Sequence, residues 1–128
     1  MATIIWRATG EVIEREELLD GRSQVVLDGA GAAGGVTASL TLVWLLGREG
    51  EVPLVEGYIT VSAADGGELN ASLERGTAEV SAETGAAIVR ATFVVDAVEG
   101  GLAEPGARIV CELEVGAEEW RGELRLGP

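Results

Sequence analysis

Residues 34–47 read GGVTASLTLVWLLG, and this stretch decides what the chain folds into. Val36, Ala38, Leu40, Leu42, Trp44 and Leu46 recur at every second position, with Thr37, Ser39 and Thr41 between them. A period of two puts the three polar residues on one face of an extended strand, whereas helical spacing would scatter them around a cylinder. β-Branched residues reinforce the extended backbone. The stretch reads as a strand with one apolar and one polar face.

Immediately upstream, QVVLDGAGAAGG (24–35) carries Gly29, Gly31 and Gly34 in Gly-x-Gly-x-x-Gly spacing. A dinucleotide-binding turn requires its third glycine to open a helix, whose N-terminal amides hold the pyrophosphate. Here a strand follows, and Asp28 places a carboxylate where phosphates would sit. No nucleotide cofactor is expected, and DGAGAAGG is expected to be a flexible strand-to-strand connection.

The same alternation returns downstream. In GAAIVRATFVVDAV, one face carries Ala87, Val89, Ala91, Phe93, Val95 and Ala97 while Ile88, Arg90, Thr92, Val94, Asp96 and Val98 lie on the other. In ARIVCELEV, Ile109, Cys111, Leu113 and Val115 oppose Arg108, Glu112 and Glu114, and in EWRGELRL, Trp120, Leu124 and Leu126 oppose Arg121, Glu123 and Arg125. Turn signals fall between the runs: Asp20-Gly21, ADGG at 64–67, GREGE at 47–51, ETG at 83–85 and GAE at 116–118. The longer EGGLAEPGA at 99–107 holds Pro105, which excludes it from a strand interior. ERGT at 74–77 reads as a bulge in which Gly76 supplies unusual backbone angles.

Eight or nine strands follow, near residues 2–9, 11–19, 22–28, 35–46, 52–63, 67–80, 86–98, 107–115 and 119–126. EVIEREELL is the one stretch that also suits a helix, since Glu11 and Arg15 would pair at i,i+4, but the Asp-Gly turn directly after it favours a strand. Short links make the neighbours antiparallel. The fold class is all-β, one domain over residues 1–128, as an up-and-down barrel of about eight strands, with a two-sheet sandwich as the alternative. In architecture the pattern resembles the calycin-like and allene-oxide-cyclase-like barrels.

Composition removes many chemistries. All nine cationic side chains are arginine, the formal net charge is −13, and there is no histidine. The commonest general base and metal ligand are therefore missing, as are Schiff-base and phosphate-loop lysines. So acidic a chain repels nucleic-acid phosphates and anionic lipid. Cys111 is the single cysteine, so no intrachain disulfide forms, and between apolar neighbours it reads as a core thiol. The beginning MATIIWRATGEV lacks a basic segment and a long apolar one, and a cytoplasmic location is expected. Acidic runs at Glu14, Glu16 and Glu17 and at Glu112, Glu114, Glu118 and Glu119 lack calcium-loop spacing, so no metal is expected. Asn70-Ala71-Ser72 matches the glycosylation pattern but falls within a strand.

Three functions remain. Small inward residues (Gly57, Ala71, Ala87, Ala91) leave room for an apolar or amphipathic ligand lined by Trp44, Phe93 and Trp120, unless large neighbours such as Trp44 and Trp120 fill that space. Alternatively, Glu56, Tyr58, Arg90 and Asp96 meet at a barrel mouth as the acid, phenol and guanidinium of a cofactor-free cyclase or isomerase. Thirdly, Thr37, Ser39, Thr41 and Tyr58 form a neutral strip through which copies of the chain associate.

Overall fold

In the computed structural model the strands form one closed antiparallel barrel in sequential order, β1 to β8. The structure describes residues 4–17, 22–31, 36–45, 50–64, 66–81, 83, 86–100 and 103–127. The strands are β1 (Ile4–Glu17), β2 (Arg22–Gly31), β3 (Val36–Leu45), β4 (Gly50–Ala63), β5 (Glu68–Val80), β6 (Ala87–Glu99), β7 (Arg108–Val115) and β8 (Glu119–Gly127). Pairing of β1 with β8, from Ile4 opposite Leu126 to Glu11 opposite Glu119, closes the ring. The barrel is realised and the sandwich is not.

Two expected strands, 2–9 and 11–19, are a single one. Gly10 lies mid-strand, opposite Gly29 on β2 and Trp120 on β8, and a register shift follows between Val12 and Glu14. The expected flexible connection is partly strand as well: Asp28, Gly29, Ala30 and Gly31 pair with Glu11, Gly10, Thr9 and Ala8. Gly34 and the Asp20-Gly21 turn lie outside the described residues. Gly66 takes a φ of +95° in the ADGG turn. The bulge foreseen in ERGT is a register shift between Leu73 and Arg75. Gly76 has no positive φ there; its role is steric, since a Cβ would come within 2.8 Å of Leu54 and 2.9 Å of Ala91.

Alternation assigns the faces. β7 exposes and buries strictly by turns from Arg108 to Val115. A continuous inward row runs around the wall through Val12, Leu27, Leu40, Ile59, Ala71 and Val95. Large and small residues interlock across the interior. The Phe93 ring lies against Gly57, where a Cβ would sit 3.1 Å from it, and the Trp120 ring lies over Gly29 while its indole N–H donates to the Asp28 carbonyl at 3.1 Å. Phe93, Leu27, Leu40, Leu42 and Ile109 have no accessible surface, so no water-sized gap touches them.

Candidate functional site

Of the small residues that suggested interior room, Gly57 is where the Phe93 ring fits, and Ala71, Ala87 and Ala91 are buried in the same core. Phe93 is fully buried and Trp120 is 2% exposed, both in the central apolar cluster. Trp44 lies on β3 opposite Ser23 and Leu54, and its side chain is outside the described residues.

The four residues of the cyclase reading all sit on the outer wall, where Glu56, on the same exposed face of β4 as Tyr58, Tyr58 itself and Asp96 lie near one another and Arg90 lies apart. Tyr58 is exposed and opposite Ser72, whose hydroxyl donates to Asp96, so these two are near neighbours. Glu56 pairs with Val43 across β3 and β4. Arg90 lies six residues from Asp96 on β6, about 20 Å along an extended strand, and faces Glu112 at 3.7 Å.

Arg90 belongs instead to a broad depression of about 940 Å³ on the outer wall, spanning β5, β6, β7, β8 and β1. Two outward rows build it. One runs Arg125, Val110, Thr92, Arg75; the next runs Arg7, Glu123, Glu112, Arg90, Thr77. The floor is apolar or neutral: Val110 is 47% exposed, Ile88 is half-buried, and Thr92 is buried. Five of the nine arginines line it. Glu112 and Glu123 stand directly opposite one another, a repulsive arrangement that the cross-strand neighbours relieve. Arg90 faces the first, and Arg125 binds the second, which raises the Arg125 guanidinium above its ordinary value through their hydrogen bond and charge attraction. Arg121 meets Glu114 at 3.3 Å. Among the described residues Arg7 and Arg75 have no ion-pair partner.

No sequence signal gathers these arginines, because they come from four strands and only the register unites them. A second outer depression, about 520 Å³, lies over the Gly10–Gly29 crossing, with Glu11 and Asp28 directly opposed in it. No group of three or more potential metal ligands forms among the described residues.

Cys111 lies beneath the groove floor, buried, and desolvation pushes its thiol from 9.0 up to about 12. The thiolate that reagents and metals require is thereby suppressed. Unfolding restores the ordinary value, so the unfolded chain ionises first as pH rises. The stabilisation from keeping the thiol neutral is complete below pH 9 and is lost as pH climbs from 9.0 towards about 12, at up to about 1.4 kcal/mol per pH unit. Urea melts at pH 8 and pH 10.5 should show this loss in the wild type and lack it in Cys111→Ala; equal slopes would refute the assignment.

The neutral strip is wider than expected. Thr37, Ser39 and Thr41 pair with Ser62, Thr60 and Tyr58, and Asn70 and Ser72 extend the block onto β5. Thr60 donates to the Asn70 side-chain oxygen at 2.7 Å. No helix among the described residues is long and apolar enough to cross a membrane. No family model matches this chain, and no curated protein or solved structure is significantly similar to it, so the barrel and its arginine-lined wall are the ground for its function.

Proposed function

We propose that this calycin-like barrel is a cytoplasmic, non-catalytic binder of a small amphipathic molecule, seated on the outer wall between β5 and β1. The observation that carries this reading is the groove itself: about 940 Å³, within the size range of small-molecule sites, with an exposed apolar floor bordered by arginines. Exposed Val110 and half-buried Ile88 supply contact for an apolar body. Phe93, which the sequence placed in an interior ligand lining, has no accessible surface.

Backbone amide NMR titrated with an eight-carbon alcohol, 1-octanol, tests the seat. Shifts are expected at Ile88, Thr92 and Val110, with Phe93 and Leu27 unmoved. Shifts confined to interior residues, or none in the millimolar range, would reject it. Native mass spectrometry of freshly purified protein should also show a co-purified small mass.

The neutral block on β3, β4 and β5 favours a second reading, self-association. In a chain of net charge −13 this face lets two copies touch without opposing carboxylates. The same mass spectra count subunits, and a strict monomer at 100 µM (about the upper range for a specific transient pair) removes that reading.

A further inference from the structure

We infer that the molecule seated in the groove is a small organic anion and that Arg75 reads its charge, an inference that rests on the groove being a binding site. The bulge between Leu73 and Arg75 places both Glu74 and Arg75 on the exposed side, where simple alternation would have turned one inward. Bulges re-aim side chains in this way. Glu74, the nearest carboxylate in sequence, is held by Arg108 at 2.9 Å, and Arg75 is left with its donors facing solvent.

Position then gives the ligand its shape. Arg75 stands opposite Thr92, and Thr92 opposite Val110, so the exposed Val110 side chain lies two strand spacings away. That is about 10 Å, the length of an eight-carbon chain. A carboxylate paired bidentately with the Arg75 guanidinium lays its tail across Thr92 onto Val110. Charge points the same way. The groove holds five arginines against three glutamates, a positive excess on a chain of net −13 whose remaining surface repels anions. Arg90, Arg121 and Arg125 are already faced by those glutamates, and an anion there would compete with them.

The test compares octanoate with 1-octanol on the full chain. Octanoate should bind about tenfold more tightly, as one charge-assisted pair contributes, and the preference should shrink as salt rises. Arg75→Gln should cut the preference to about twofold, the part that the field of the remaining arginines supplies. Arg7→Gln removes the same charge from the same groove but away from the Thr92 and Val110 floor, and should lower octanoate affinity only about twofold, by the loss of long-range field. Equal binding of the two probes to the wild type overturns the anion inference and leaves the binding site standing. A preference undiminished by Arg75→Gln, or diminished no more than by Arg7→Gln, overturns the role of Arg75. If neither probe shifts the groove amides, the binding site and the inference fall together.

Discussion

Gly10→Ala should lower the melting temperature by about 10 °C, the shift that roughly 3 kcal/mol produces in a chain of this size. A Cβ at Gly10 would lie 1.9 Å from the Asp28 carbonyl oxygen and 2.5 Å from the Gly29 Cα. Both obstacles are backbone, so no side chain can rotate out of the way. The opposing Gly29 offers no relief, because its own vacant side-chain position is bounded by the Thr9 carbonyl at 2.4 Å and the Trp120 ring at 2.7 Å. Relaxation must part β1 from β2, disturbing the Trp120 hydrogen bond to Asp28. Gly106→Ala is the natural comparison: its φ of +89° strains any side chain, but nothing lies within 4 Å of a Cβ there. That substitution should cost only about 1 kcal/mol. Thermal melts followed by circular dichroism separate the two, and comparable losses would mean that the β1–β2 seam yields more readily than its contacts imply.

Phe93→Ala should destabilise the barrel by about 3–5 kcal/mol, measured by urea denaturation. The ring is fully buried, its backbone is paired to Leu73 and Ile109 on either side, and Gly57 approaches it from β4. Glycine cannot fill the space that the ring vacates. The resulting hole would be lined by apolar groups and should stay dry, so benzene should raise the variant's melting temperature and leave the wild type unaffected. A loss below about 1 kcal/mol would indicate an interior loose enough to collapse around the deletion. It would also reopen the interior as a ligand space.

Much of this architecture is written in the alternation of residues. Val36 to Leu42 and Arg108 to Val115 appear as strands because one face of each is the more buried and the other the wetter, which a period of two encodes directly. Gly10 was harder to read, since a glycine between two apolar runs has the same local appearance whether it turns the chain or lets two backbones approach. The distinction depends on Gly29, which sequence distance hides. One of the two bulges between β5 and β6 was foreseen, in ERGT; the other escaped, because the extra residue Asp96 changes the phase of alternation without announcing itself and leaves Ala97, expected on the buried face, exposed. The groove was the least legible part. Arg7, Arg75, Arg90, Arg121 and Arg125 are dispersed along the chain, and each alone looks like an ordinary solvated residue. The filling of the interior stayed open in the sequence because composition reveals that residues are small without revealing that the Phe93 ring lies against Gly57 and the Trp120 ring over Gly29.

Joining the first strand to the last also restricts how this molecule can meet others. Because every strand is paired on both sides over most of its length, most amides and carbonyls of the sheet are committed to one another. Among the described residues an extended peptide meets no full-length open edge strand, so adding itself to the sheet, or stacking copies by continuing it, is disfavoured. Recognition falls to side chains on the curved exterior, so specificity can be rewritten there by point substitution while the scaffold beneath is left alone.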